Sequence, residues 1–121
     1  MNPQTIARIL VWDKIRNVLS EEVGKEFTGG EIIDLVVERY PDTNRSSVIP
    51  SGYCYNMINK AIDFKNHIFE HLEAGRYKVL GTSYDHLGPI FWKGEQIGEW
   101  KNGDSKIHWE IMFPAYARSQ A

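Results

Sequence analysis

With 121 residues, 42% of them hydrophobic and 25% charged, the chain has the size and composition of one globular domain and leaves no room for a second full one. Its formal net charge of −2 argues against a protein that coats nucleic acid indiscriminately, because that kind of affinity comes from neutralising many phosphates. No apolar run approaches the ~20 residues of a membrane span, and Met1-Asn2-Pro3-Gln4-Thr5 lacks the basic and hydrophobic regions of a signal peptide, so a cytoplasmic protein without a membrane partner is expected.

In chain order, Ile6, Ile9, Leu10, Ile15, Val18 and Leu19 recur at spacings of three and four with Trp12 alongside, which predicts a helix over the first twenty residues. Val23 to Phe27 is short and interrupted by glycine, and reads as a brief edge strand. Thr28-Gly29-Gly30-Glu31 has the spacing of a capping box and predicts a second helix with Ile32, Ile33, Leu35, Val36 and Val37, ending at Tyr40 before Pro41. After a turn at Pro41-Asp42-Thr43, Asn44 is a good N-cap for a third helix opening Arg45-Ser46-Ser47-Val48-Ile49, with a kink or early break expected at Pro50 and helical character resuming through Asn59.

From His67 onward the texture changes to short aromatic and β-branched runs. His67 to Leu72 and Arg76 to Leu80 flank Glu73-Ala74-Gly75 as a hairpin; Ile90 to Trp92, Gln96 to Trp100 and Lys106 to Trp109 are joined by Lys93-Gly94-Glu95 and by the Asn-Gly turn signal in Lys101-Asn102-Gly103. The expected fold is α+β: a winged helix-turn-helix of three helices plus a β-hairpin wing over residues 1–82, a small C-terminal antiparallel β extension over 83–113, and a tail over 114–121.

That order places the third helix in the major groove of double-stranded DNA and the hairpin on the backbone. Asn44, Arg45, Ser46 and Ser47 then stand at the start of the reading helix, where arginine suits guanine and serine hydroxyls suit phosphate oxygens. Arg76 and Lys78 share one face of the wing strand, and Asn56, Asn59 and Lys60 complete the candidate DNA-binding set. Between Asn44 and Gly81 five basic residues face three acids, a balance of +2 that fits a local basic patch. The bland reading of the same residues is a solvated helix start and the gatekeeping charges of an edge strand.

No catalytic constellation, metal site or cofactor is expected. His67-Ile68-Phe69-Glu70-His71 matches the H-x-x-E-H pattern of inverted zincin peptidases, but its strand-like alternation would put Glu70 on the face opposite both histidines, and leaves them as polar wing residues. Cys54, the single cysteine, reads as a small buried hydrophobe, and Gly29-Gly30 as helix-entry geometry rather than a phosphate loop. Trp92, Trp100 and Trp109 with Phe91 read as a second small core against the first helix; the alternative is an aromatic pocket for a flipped or modified base.

The run Asn44 to Asn56, with His67-Ile68-Phe69-Glu70, Gly75-Arg76-Tyr77-Lys78-Val79-Leu80-Gly81, Gly88-Pro89-Ile90-Phe91-Trp92 and Gly98-Glu99-Trp100, resembles a group of bacterial and phage domains found alone or beside HNH-type nuclease domains in restriction-like proteins. The resemblance covers most of residues 25 to 103. It implies DNA recognition in phage defence or phage biology, with a nuclease supplied by another domain or partner; no HNH-like histidine and asparagine cluster occurs in this chain. The expected function is therefore a double-stranded DNA-binding module, monomeric or homodimeric, that senses sequence or base modification. The alternative is a protein-interaction module on the same scaffold without nucleic acid, which the net charge permits.

Overall fold

The structure, a computed structural model, describes residues 10–59 and 64–108. It is α+β, but it overturns the winged helix-turn-helix. The described residues hold two α-helices and two three-stranded antiparallel sheets, rather than three helices with one wing and a small extension.

Helix α1, Val11–Leu19, is amphipathic and buries Ile15 and Leu19; a single 3-10 turn, Ser20–Glu22, closes it. Strand β1, Glu26–Thr28, runs directly into α2, Gly29–Arg39. The capping box forms as its spacing predicts: Glu31 N–H donates to Thr28 Oγ1 at 3.1 Å, and Thr28 N–H donates to Glu31 Oε1 at 2.7 Å. The Thr28 backbone N–H, and after it the Thr28 hydroxyl, hold the Glu31 carboxyl below its usual pKa range. Ile32 and Val36 face inward, and the helix ends at Tyr40 ahead of Pro41.

The expected third helix is absent. Asn44 caps only one 3-10 turn, Arg45–Ser47, through Ser46 N–H to Asn44 Oδ1 at 3.0 Å. Val48 and Ile49 both leave helical geometry, at ψ of 101° and 88°, Ile49 as the residue before a proline is constrained to do. Pro50 opens a second single turn, Pro50–Tyr53, where its missing N–H costs nothing. Proline here stops one turn and starts another, so it divides what a kinked helix would have joined. Ser47 reinforces the break, its hydroxyl donating to the Asn44 carbonyl at 2.6 Å.

From Tyr53 to Ile58 the chain is a strap between the two sheets. Ile68 N–H donates to Tyr53 C=O and Tyr55 N–H to Phe69 C=O, at 2.9 and 2.8 Å, beside strand β2, Phe69–His71. Phe91 N–H then donates to Asn56 C=O and Ile58 N–H to Phe91 C=O, at 2.9 and 2.8 Å, beside strand β4, Gly88–Trp92. One short extended segment thereby satisfies the open edges of two sheets.

The first sheet has the order β1-β3-β2, with β3, Arg76–Val79, in the centre. The expected hairpin is present, but β1 pairs with its second strand, so it is a sheet interior rather than a projecting wing. Phe69, Tyr77 and Val79 pack with Ile15, Leu19, Ile32 and Val36 into the main core. The second sheet is a meander of β4, β5 (Glu95–Lys101) and β6 (Asp104–Ile107). Its two turns, Lys93-Gly94 and Asn102-Gly103, each put two successive residues at positive φ, the geometry that matches strand twist in a two-residue hairpin.

Gly98 sets the spacing of β5 and β6, since a Cβ there would overlap the Lys106 carbonyl oxygen and sit 3.1 Å from Ile107 Cα. A second core forms from Ile58, Ile90 and Ile97, with Phe64, Trp92, Trp100 and Ile107 around it. The tryptophans thus close over the strap and the second sheet, not over α1 as expected. Trp109 lies outside the described residues.

Candidate functional site

Several of the residues selected from the sequence for DNA contact are engaged with other groups of the chain. Asn44, the cap, and Arg45, Ser46 and Ser47 of the 3-10 turn behind it are all exposed, but their groups are turned on one another and on α2. Ser46 Oγ donates to Asn44 Oδ1 at 2.8 Å, and Arg45 Nη2 donates to Asp34 Oδ1 at 2.7 Å. Asn56 is a structural amide: its Nδ2 donates to His71 C=O at 2.9 Å and its Oδ1 accepts from His71 N–H at 2.7 Å, which fastens the strap to β2. Asn59 Nδ2 donates to Ser51 Oγ at 2.9 Å, and Lys60 lies outside the described residues.

Arg76 and Lys78 do share the outer face of β3, opposite buried Tyr77 and Val79. Their neighbours across the strands are acidic, with Glu26 and Glu70 both in register with Lys78. Glu26 Oε1 also lies 3.7 Å from Arg76 Nη2. The outer face of the first sheet is a ladder of opposite charges, not a basic stripe.

A different site stands where α1, the strap, the residues before β2, the loop after β3 and strand β5 meet. It is an open pocket of about 480 Å³, with Trp12 and Arg16 from α1, Tyr55 from the strap, Lys65, Asn66 and His67, the loop from Thr82 to Asp85, Trp100 from β5, and Gly103. That volume lies in the ordinary range for a small-molecule or nucleotide-sized site.

Tyr55, buried, is the hub of its walls. Its ring lies 5.2 Å from His67, 5.6 Å from His86, which stacks on it at 22°, and meets Trp100 and Tyr84 nearly edge-on at 5.7 and 6.0 Å. His67 meets Trp100 at right angles, 5.3 Å away, and packs on Phe64 at 4.3 Å. These offset and edge-to-face arrangements are the favourable ones for aromatic pairs.

The polar atoms of the cluster are fixed by backbone carbonyls. Tyr55 Oη donates to Gly81 C=O at 2.7 Å, Trp100 Nε1 donates to Tyr55 C=O at 2.6 Å, and His67 Nδ1 meets Cys54 C=O at 3.1 Å. Each ring is therefore held in one orientation before any ligand arrives, which lowers the ordering cost of binding. Burial pushes the His67 pKa down to about 4 and lowers that of His86, and it raises that of Tyr55, so all three rings are neutral near pH 7. Charge enters at Arg16, Lys65 and Asp85. Arg16 is already bound to Asp13 at 2.8 Å.

The H-x-x-E-H segment is not helical: His67 precedes β2, while Glu70 and His71 belong to it. Among the described residues no three histidine, cysteine, aspartate or glutamate side chains come together as metal ligands would. Cys54 is fully buried, with its thiol facing Pro50 C=O at 3.6 Å and its pKa pushed up by burial, so it behaves as core.

Of the pocket residues, Trp100 belongs to an aromatic group already conspicuous in the sequence. His67 reads there as a polar wing residue, and Tyr55 stands in no motif. Neither has a local signal, because the partners that define them are remote in the chain.

Fold and site together define an α+β protein with an aromatic-walled pocket at the junction of two antiparallel sheets. More particularly, the chain belongs to the family described as "Domain of unknown function (DUF7225)", which matches residues 10–107. It is similar to "Uncharacterized protein YnaC" of Bacillus subtilis (strain 168), 36% identical over 99 residues. The match covers 77% of this chain and 37% of that relative, so the chain spans well under half the relative's length. A bacterial relative agrees with the bacterial side of the resemblance noted above. No solved structure matches the chain. Among the described residues no helix is long and apolar enough to cross a membrane.

Proposed function

We propose that this is a cytoplasmic double-stranded DNA-binding module which carries no catalytic step of its own and receives one unstacked base in the aromatic pocket. The observation that carries the reading is the set of neutral rings, Tyr55, His67 and Trp100, each held by a backbone carbonyl around a pocket of nucleotide size. Everted bases are held by stacking between such rings with a few fixed polar groups. Arg16 and Lys65, lining the same pocket, suit the phosphates that flank an everted nucleotide. The exposed turn from Asn44 to Ser47, and Arg76 with Lys78, supply secondary backbone contacts in this reading, each in exchange for its present acidic or local partner. A place in restriction or phage defence, with the nuclease in another domain or partner, follows from the resemblance and belongs to the same proposal.

The test is fluorescence anisotropy with labelled duplexes at two salt concentrations: fully paired, carrying methylated adenine or cytosine, and carrying a mispair that weakens the stack. Salt-dependent binding that is tighter to the mispaired or modified duplex, and lost in Trp100→Ala and Lys65→Ala, supports the reading. Binding lost in Arg45→Ala and Arg76→Ala but indifferent to Trp100 would move DNA contact to the first sheet. A protein-interaction module is the second reading, favoured by the net charge of −2 and the ion-matched outer face of the first sheet. Absence of binding to every duplex at low salt would leave that reading standing.

A further inference from the structure

We propose that the pocket selects a base carrying an exocyclic amino group, the 6-amino group of adenine or the 4-amino group of cytosine, by presenting Nε2 of His67 as a fixed hydrogen-bond acceptor. This rests on the base-binding reading of the same pocket and adds to it which edge of the base is read.

The argument starts from the Cys54 carbonyl. A carbonyl oxygen can only accept, so its 3.1 Å contact with His67 Nδ1 requires the proton on Nδ1. A neutral imidazole with Nδ1–H has a lone pair, not a proton, on Nε2. The ring is neutral at pH 7 because burial disfavours its charged form and holds the pKa at about 4; the neighbouring His86 acts in the same direction, and the Cys54 bond opposes only in part.

The second step concerns access. Among the described residues Nε2 of His67 makes no hydrogen bond, whereas every sealed side-chain nitrogen or oxygen has a partner. Nε2 is therefore not sealed off, on a part-buried residue that lines the pocket. Two other polar atoms of the ring cluster are already engaged: the Tyr55 hydroxyl with Gly81 and the Trp100 indole N–H with Tyr55. Within the ring cluster His67 thus offers an oriented acceptor at a ring edge, on a pocket that Asp85 also lines.

An amino group placed there donates to Nε2. A ring carbonyl in the same place sets two acceptors against each other, and a bare C–H leaves Nε2 desolvated and unpaired; both lose affinity. Adenine is thereby favoured over hypoxanthine and purine, and cytosine over uracil.

Trp12 and Trp100 line the pocket, so intrinsic fluorescence reports occupancy. Titrations at pH 7.5 with adenosine, purine riboside and inosine, and with cytidine and uridine, compare wild type with His67→Phe, which keeps a ring and removes the acceptor. The expected result is at least about tenfold tighter binding of one amino nucleoside than of its deamino or keto counterparts, collapsing to near equality in His67→Phe. Equal affinities in wild type, or a preference that survives His67→Phe, overturn the inference while base binding stands. No response to any nucleoside overturns base binding itself.

Long-range proton–nitrogen NMR on the wild-type protein removes dependence on the variant's folding. A proton on Nδ1, with the Nε2 resonance moving on addition of adenosine or cytidine, is expected; a proton on Nε2 overturns the inference. Repeating the titration with a short duplex carrying adenine or cytosine opposite an abasic site separates the sources. Selectivity for both nucleoside and duplex assigns the base to DNA; selectivity for nucleoside alone keeps the acceptor and assigns a free nucleotide.

Discussion

The two sheets are held in different ways. The first packs Phe69, Tyr77 and Val79 against two amphipathic helices, so its inner face is closed by elements that contribute their own rows of buried side chains. Among the described residues the second has no helix in its buried cluster: Ile90 and Ile97 close on Ile58 of the strap, with Phe64, Trp92, Trp100 and Ile107 around the margin. A closed core buys stability that the pocket does not need, whereas the strap and second sheet supply Tyr55 and Trp100. The site thus draws Tyr55 and Trp100 from the strap and the second sheet, and its Trp12 and Arg16 from α1.

The sharpest way to break that asymmetry is Gly98→Val. No rotamer relieves a Cβ placed against the Lys106 carbonyl and Ile107 Cα, so β5 and β6 must separate. The expected loss is about 3 kcal/mol or more, read as a lowered urea midpoint. The far-ultraviolet helix signal of α1 and α2 should outlast the tryptophan signal of the second sheet. Loss of both signals together would mean that the sheets form one cooperative unit, and the contrast drawn here would fall.

How much of this was legible in the sequence depends on how far apart the determining residues lie. The capping box at Thr28 and Glu31, the stop at Pro41 and the Asn102-Gly103 turn are signals within four residues, and the structure carries each of them. The third helix failed because two local signals conflicted. Asn44 starts helical geometry and Pro50 requires extended backbone just before itself, and the second prevailed after one turn. Pairing of β1 with β3, which turned an expected wing into a sheet interior, joins Phe27 to Tyr77 and has no local sign. The pocket is further from view still: the Trp100 indole bonds the Tyr55 carbonyl across 45 positions. Several of the polar residues that stood out as DNA contacts also serve as caps, strap anchors and cross-strand neighbours.

A second test sharpens the contrast by pH. His67 has a folded pKa of about 4 against an ordinary value of 6.5, and that of His86 moves in the same direction. Between pH 6.5 and 4 the unfolded chain binds protons that the folded chain refuses. Stability from these rings is therefore complete above pH 6.5 and is lost as pH falls through that window. Allowing for solvent screening of a part-exposed ring, the expected loss between pH 7.5 and 5 is about 1–2 kcal/mol. It should appear in urea titrations followed by Trp100, and shrink in His67→Phe. A stability that is flat or rises on acidification would contradict a neutral, buried His67.

On the helical side, Thr28→Ala removes one half of the capping box and should cost about 1 kcal/mol. The second half weakens with it, since Glu31 reaches back to the Thr28 N–H. Because α2 packs on the main core and contributes nothing to the pocket walls, nucleoside affinity should be unchanged while the urea midpoint falls. A parallel loss of affinity would couple the two halves more tightly than their packing implies.

The smallest effect is expected at Arg45. Its bond to Asp34 is short, 2.7 Å, but the two side chains are 57% and 68% exposed, so water competes for both partners. Exposed ion pairs of this kind contribute between nothing and about 1 kcal/mol. Arg45→Ala and Asp34→Ala should each leave the urea midpoint within that range, yet their effects on DNA should diverge. If the first sheet contributes backbone contacts, Asp34→Ala frees the guanidinium and strengthens duplex binding, whereas Arg45→Ala weakens it. If the pocket alone carries recognition, the two variants bind like wild type, and the pair has only a local structural role. The comparison is decisive because stability is nearly constant across it: a change in affinity can then be assigned to Arg45 itself rather than to loss of the fold.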